Sequence, residues 1–179
     1  MGPSPLLRDY AAQLDCAARM LKNEAGTAFP WAPGFSHAPP LQWHESIAAE
    51  RAYVLLWIAA EHAQSASWES RSTSESLKRA ANEFQLAAGC LAHMTTLPLP
   101  APLQDQVPCL RFLMLAQAQE CFWQKAVQDA LKDTTIAKLA QGVSTLYADS
   151  VALAPPAALP PDWLQHMAVS YTHLTLPTN

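Results

Sequence analysis

The stretch LMLAQAQECFWQKAVQDALKDTTIAKLA, residues 113–140, decides the fold that we expect for this chain. Apolar residues recur in it at the spacing of one helix face, and a polar joint interrupts the pattern. Asp133 and Thr134 follow the joint and are predicted to cap a second helix. We therefore predict two long helices here, with no obvious catalytic group on either of them.

The chain on both sides of this stretch continues the helical pattern, with one exception. Between residues 27 and 46, four prolines exclude helix and aromatic residues accompany them, so we predict a short hairpin or extended pair. Ser72 or Thr73 is a suitable helix N-cap, with Glu75 or Glu69 nearby. The predicted helices cover residues 6–23, 47–65, 74–94, 105–131, 133 to the proline-rich LAPPAALPPD, and a last segment from Asp162 to Ala168. Successive antiparallel helices of similar length predict a solenoid-like stack.

Composition excludes several classes of function. The chain has 179 residues, of which 50% are hydrophobic, enough for one globular domain with a core. Its formal net charge is -4, so no basic surplus exists to attract phosphate backbones, and we expect no nucleic-acid partner. The longest apolar run, AYVLLWIAA at residues 52–60, is far too short to cross a bilayer and is typical of a helix buried on all sides.

The four cysteines carry no recognisable site. Cys16, Cys90, Cys109 and Cys121 form no C-x-x-C pair, which argues against zinc and against a disulfide framework. The spacing suits a reducing cytosol, and the start MGPSPLL lacks the features of a signal peptide. Cys90 and Cys121 fall inside helical patterns, so we interpret them as packing residues rather than reactive thiols.

Catalytic and metal-binding motifs are also missing from the sequence. Five glycines form no phosphate-binding loop, and WHES and AEHAQ lack the paired histidines of a zinc protease. No G-x-S-x-G turn accompanies the serines. Trp57 and Trp123 lie within helical apolar patterns, which favours core packing over a cofactor site. We therefore predict no enzyme, no cofactor and no metal, and a helical surface that holds another protein.

The last residues differ in character from the rest. VSYTHLTLPT, residues 169–178, looks like one reading frame of a transposase-type sequencing adaptor. We expect native sequence over residues 1–168 and an adaptor-derived tail over residues 169–179, in which Tyr171 and His173 have no function. A natural threonine-rich C-terminus is the alternative.

Several stretches resemble one family. LMLAQAQE followed by IAKLA, together with LLRDYAAQL and the aromatic hairpin, closely resembles the Bro domain, the helical domain of the Alix and PalA proteins of endosomal sorting. RSTSESLKRAANEFQLAAG looks most like the fungal PalA branch, which acts in ambient-pH signalling. The resemblance covers nearly all of residues 6–168. It implies an all-α fold with a short β-hairpin: the tetratricopeptide-like helical solenoid core of a boomerang-shaped domain, here expected to be truncated at both ends.

The resemblance also implies a binding site for the amphipathic C-terminal helix of an ESCRT-III subunit (Snf-seven, or CHMP-four in animals). It assigns contacts to Lys78, Phe122, Thr135 and Leu139. Thr135 stands where relatives often have isoleucine, and Ser74 where animal relatives have an acidic residue. Helical geometry alone places Thr135 and Leu139 about 100° away from the inward stripe of their helix, so Leu139 is either a packing residue or a contact.

The family implies a non-enzymatic cytoplasmic adaptor that is recruited to endosomes through its partners. A pH-signalling transcription factor would bind only through a V-shaped domain that this chain does not contain. The alternatives are a general Alix-like scaffold of multivesicular-body transport and a truncated product without function. Membrane binding through a charged convex surface is disfavoured by the net charge, because anionic lipids attract basic patches.

Overall fold

The fold is helical, as predicted, with one small sheet near its beginning. The computed structural model describes residues 4–20, 24–31, 35 and 42–154. The predicted tail at 169–179 and the predicted helix at 162–168 lie outside these residues. The elements in chain order are α1 (Pro5–Met20), β1 (Glu24–Trp31), β2 (Gln42–Ser46), α2 (Ile47–Trp68), α3 (Ser74–Met94), α4 (Ala101–Gln128) and α5 (Asp133–Ala152).

Each helix packs against the next one along the chain, from α1 through α5. This sequential contact is the arrangement expected of a helical solenoid, in which each element covers its neighbour. A large apolar cluster joins α2 to α5, and a smaller one between α1 and α2 centres on Leu14, Val54 and Ile58. Strands β1 and β2 form the predicted antiparallel hairpin, in which Trp31 pairs with Gln42.

Two helices begin at side-chain caps. Ser46 Oγ accepts a 3.1 Å hydrogen bond from the backbone N–H of Ala49 at the start of α2. Thr73 caps α3, as one of the two predictions had it, and forms a capping box with Ser76. The predicted glutamate partners do not take part, and Glu69 instead accepts hydrogen bonds from Arg79.

The predicted start of α4 at Asp105 is wrong. The helix begins four residues earlier, at Ala101, and includes Pro108 in its interior. A proline in the first turn is tolerated because the N–H it lacks would have no helical partner there. Pro108 does remove a bond to the carbonyl of residue 104. The helix continues through it because Val107 and Cys109, on either side, are fully buried.

The predicted caps of α5 are also wrong. Lys132 is the N-cap residue and makes no side-chain capping bond, and Asp133 is the first residue of the helix. The preceding turn explains this start. Leu131 N–H donates to the carbonyl of Ala126 and Ala130 N–H to that of Val127, which is the Schellman pattern. Ala130 occupies the left-handed position of that motif, with φ 48°, where glycine is the usual residue.

Burial agrees with most of the predicted packing roles. In the apolar run of α2, Tyr53, Val54 and Leu56 are buried, whereas Trp57 is half-buried. Cys121 is buried, and Cys90 is only half-buried. Burial raises the pKa of both thiols, which keeps them protonated.

Candidate protein-binding site

The four residues assigned to partner binding lie on three successive helices. Lys78 is exposed on α3, where its ammonium group lies 3.5 Å from a carboxylate oxygen of Glu75. Phe122 is 37% exposed on α4, which is unusual for a phenylalanine within an apolar helix. On α5, Thr135 is exposed and Leu139 is half-buried.

The register of α4 against α5 brings Phe122 and Leu139 to the same level. A Cβ atom built on Gly142 would lie 3.5 Å from Nε2 of Gln119, so the Gln119 side chain reaches Gly142 across the seam. The helices are antiparallel. Moving three residues forward from Gln119 and three back from Gly142 therefore covers the same distance in the same direction. That step arrives at Phe122 and Leu139 on the two sides of the α4–α5 seam.

Lys78 lies near the same end of the helices. Nε2 of Gln128, the last residue of α4, donates a 3.0 Å hydrogen bond to the carbonyl of Arg71 in the loop before α3. This bond places the start of α3 beside the end of α4. Lys78 is the fifth residue of α3 and Phe122 lies less than two turns from the end of α4.

The surface around the seam leaves apolar residues uncovered. We call this surface the α4–α5 face and define it by Phe122, Thr135 and Leu139. None of residues 133–142 is buried, although Ile136 and Leu139 are apolar, whereas Val143 is fully buried. Val127 and Leu131, near the turn, are nearly half exposed. Adjacent exposed apolar side chains of this kind mark interaction surfaces more often than isolated ones do.

A polar network that the sequence did not reveal lies on the other side of the seam. Tyr147 Oη donates a 2.7 Å hydrogen bond to Oε2 of Glu120, and Gln124 Nε2 donates a 3.1 Å bond to Oε1. The Arg71 guanidinium lies 3.7 Å from Glu120 Oε1. Burial, and then the Glu120 carboxylate, raises the pKa of Tyr147 well above its usual range. The available signal was a glutamate within the otherwise uncharged LMLAQAQECFW.

A second carboxylate, also missed, joins α1 and the hairpin to α2. Glu50 is only 2% exposed and accepts a 2.6 Å hydrogen bond from Tyr10 Oη and another from Trp31 Nε1. Burial and the hydrogen bond to Glu50 raise the pKa of Tyr10 to about 12. Beside it, His44 stacks on the Tyr53 ring at 4.4 Å between centroids. These contacts lie far along the chain from the α4–α5 face.

Neither Glu50 nor Glu120 forms part of a metal-binding group with other residues that the structure describes. Within residues 4–20, 24–31, 35 and 42–154, no group of three His, Cys, Asp or Glu side chains is placed to hold a metal ion. In the same part of the chain, no helix combines the length and the hydropathy needed to span a membrane.

Comparison with known proteins identifies the family. The model of the BRO1-like domain matches residues 3–175. This chain belongs to the BRO1-like domain family. The matched range reaches into the predicted adaptor tail, whose origin stays a prediction. The resemblance to the Bro domain is thus confirmed.

Among curated relatives, the BRO1-like chain is similar to fungal pH-response regulators. It is 42% identical over 175 residues to palA/RIM20 of Emericella nidulans, covering 92% of this chain and 20% of that protein. Identity to palA/RIM20 of Saccharomyces cerevisiae is 31% over 192 residues, covering 99% of this chain and 29% of the relative. ALG-2 interacting protein X of Dictyostelium discoideum is 34% identical over 134 residues, covering 70% and 17%. The chain spans about a fifth of the length of the first of these relatives.

Two solved structures have the same fold. The crystal structure of ALIX with the SIVmac239 PYKEVTEDL late domain superposes with a TM-score of 0.78 at 27% identity, covering 94% of this chain and 26% of that chain. The complex of the ALIX BRO1 domain with CHMP4C also gives 0.78, at 26% identity, covering 94% and 52%. The predicted fold class is therefore confirmed.

Proposed function

We propose that this BRO1-like domain is a non-enzymatic adaptor whose α4–α5 face binds the amphipathic C-terminal helix of an ESCRT-III subunit. The observation that carries the proposal is the uncovered apolar surface at the seam, where Phe122 and Leu139 lie level with each other. The complex of the similar ALIX BRO1 domain with CHMP4C supports this class of partner.

The chemistry of the face suits an amphipathic helix. A helix in a groove is bound by apolar side chains spaced three or four residues apart, with polar residues along the rim. In our proposal Phe122 and Leu139 are the apolar anchors, Thr135 extends the contact by one turn, and Lys78 belongs to the rim. Lys132 and Lys138, both exposed, form no ion pair with another described residue and favour a partner with acidic groups beside its apolar stripe.

A binding titration with the complete protein tests the proposal. The probe is a fluorescein-labelled peptide of the CHMP4C C-terminal helix, followed by anisotropy. Leu139→Asp should weaken binding by about thirtyfold or more, because it removes a central anchor and places a charge against the apolar face of the ligand. Lys78→Ala should cost less, because rim charges are partly solvated.

The matched control is Leu86→Asp. Leu86 is a leucine on α3 that is more exposed than Leu139, so its replacement adds the same charge to an apolar surface position outside the α4–α5 face. It should bind the peptide as wild type does. Equal affinity of wild type and a correctly folded Leu139→Asp variant would remove the α4–α5 face from the mechanism.

At the level of the pathway, we propose a role in fungal ambient-pH signalling at endosomes, upstream of transcription-factor processing. The supporting observation is the similarity to palA/RIM20 proteins. In this proposal the transcription factor binds a separate domain of the complete protein, and partners recruit the protein from the cytoplasm to the endosomal surface.

The second candidate is a general endosomal-sorting scaffold, favoured by 35% identity over 128 residues to the vacuolar protein-sorting protein bro-1 of Neurospora crassa. Complementation separates the two. The complete gene is introduced into Neurospora crassa strains that lack either palA/prr-1 or bro-1. The pH-signalling role requires rescue of growth across a pH series in the first strain. Rescue of vacuolar sorting in the second strain alone would favour the scaffold.

A further inference from the structure

One carboxylate behind the seam joins the three helices that carry the proposed contact residues. Glu120 projects from α4 and receives the Tyr147 hydroxyl of α5 on one oxygen, at 2.7 Å. Its other oxygen lies 3.7 Å from Arg71, which precedes α3. The Arg71 guanidinium also lies 6.0 Å from the centre of the Phe84 ring on α3. Glu120 therefore links α3, α4 and α5 through side chains that do not reach the α4–α5 face.

The network and the face lie on different sides of α4. Phe122 follows Glu120 by two residues, which is a rotation of about 200° around α4. On α5, Leu139 and Tyr147 lie about 40° to either side of Val143, which is fully buried. Tyr147 and Leu139 therefore lie on the two flanks of the α5 surface that is centred on Val143, about two turns apart.

We propose that Glu120, with Arg71 and Tyr147, is the positioning centre of this docking surface, holding α3, α4 and α5 at the separation that a ligand helix requires. This inference rests on the function proposed above and assigns no ligand contact to the three residues. A helix bound across the seam must contact Phe122 and Leu139 at once, so a small change in their separation weakens both contacts.

Two tyrosines of the chain allow a matched test. Tyr147 donates to Glu120 across the α4–α5 seam at 2.7 Å, and Tyr10 donates to Glu50 across the α1–α2 seam at 2.6 Å. Each phenylalanine variant, Tyr147→Phe and Tyr10→Phe, loses one hydroxyl-to-carboxylate hydrogen bond and leaves the ring in place. Both are made in the complete protein and titrated with the labelled CHMP4C helix peptide, and their melting temperatures are measured.

Tyr147→Phe should weaken peptide binding about fivefold, in the range known for residues that modulate a site without contacting the ligand. Tyr10→Phe should leave the affinity unchanged. Both variants should lower the melting temperature by similar amounts. A purely structural role would move the melting temperatures alone, so the difference in affinity is the diagnostic readout. The inference is overturned if Tyr147→Phe binds as tightly as wild type, or if both variants lose affinity equally.

Glu120 gives a second, independent measurement. Glu120→Gln keeps an oxygen that accepts from Tyr147 but loses the charge that faces Arg71, so it should lose less affinity than Glu120→Ala, which should lose about tenfold. Equal affinities of these two variants contradict the inference. If wild type fails to bind the peptide, the docking function itself fails. If wild type binds and Leu139→Asp does not, the docking function stands whatever the tyrosine and glutamate variants do.

Discussion

A hydrogen bond from a tyrosine hydroxyl to a glutamate joins two helices in each of two regions of the domain, the α1–α2 seam and the α4–α5 seam. Glu50 and Glu120 each accept a tyrosine hydroxyl across a helix seam, at 2.6 and 2.7 Å. Glu50 is 2% exposed and has a second neutral donor in Trp31, whereas the Glu120 side chain is 23% exposed and lies beside the Arg71 cation. The first carboxylate is enclosed by the elements that it joins. The second lies on one side of a helix layer whose other side is open.

The surroundings of the two bonds show what this difference means. Near Glu50, the apolar residues Leu14, Ile47 and Val54 are all buried between α1 and α2. Near Glu120, Phe122 of the same helix is exposed and Leu139 of α5 is half-buried. The joint at Glu50 buries its apolar neighbours and stabilises the fold. In the proposed function, the joint at Glu120 leaves an apolar surface open for the partner.

The largest effect that separates the two regions is expected from paired leucine truncations. Leu14→Ala should lower the free energy of unfolding by about 3 kcal/mol, because it leaves a cavity in a closed cluster. Leu139→Ala should lower it by about 1 kcal/mol or less, since that side chain is already partly in water. Urea denaturation of both variants measures the difference. Equal losses would mean that the α4–α5 face is part of the core.

The turn between α4 and α5 offers a stabilising change of about 1 kcal/mol. Ala130→Gly should raise the free energy of unfolding, because glycine adopts the left-handed conformation without the steric cost of a Cβ atom. The same denaturation experiment checks it. Gly89→Ala is the reciprocal control. It should raise the free energy of unfolding, because the added Cβ would meet no atom within 4 Å and alanine favours the helix interior over glycine by about 1 kcal/mol. A destabilised Ala130→Gly protein would contradict the role given to this turn.

Thr135→Ile tests whether Thr135 of the α4–α5 face contacts the ligand helix. If this position contacts the ligand helix, the added apolar area should tighten binding by about 1 kcal/mol or less. Calorimetric titration with the CHMP4C helix peptide measures this gain, and the melting temperature should not change. Weaker binding would place Thr135 outside the contact or show that the larger side chain obstructs it.

The smallest expected effect comes from the imidazole of His44, near Glu50. Burial lowers the pKa of His44 below 6.5, and the nearby Glu50 carboxylate only partly opposes this. Because protonation is disfavoured in the folded state, the unfolded chain binds more protons as the pH falls below 6.5, and stability is lost. The free energy of unfolding of wild type should therefore fall between pH 7.5 and 5.5 by more than that of His44→Phe. Identical pH dependence of the two proteins would remove His44 from this account.

The sequence by itself determined the family of the chain and, within the residues that the structure describes, the presence of the five helices, though not all of their bounds. Residues 74–94 were predicted to be a helix with these bounds, and the proline-rich segment was predicted to be a short hairpin or extended pair, because periodicity and backbone restriction are local properties. Local signals misled where packing overrides them. The helix that was predicted to begin at Asp105 begins at Ala101, and it continues through Pro108 because the neighbours of that proline are buried in the core.

Only the tertiary structure decided how the helices are joined. Glu50 is 19 residues from Trp31 and Glu120 is 27 residues from Tyr147, and no local pattern pairs residues at such separations. The same holds for the level position of Phe122 and Leu139, which follows from the contact of the Gln119 side chain with Gly142 across the seam. The positions assigned to the site came from family resemblance. The contacts of Glu120 that join the helices behind these positions could be read only from the structure, because packing sets the separation of side chains on different helices.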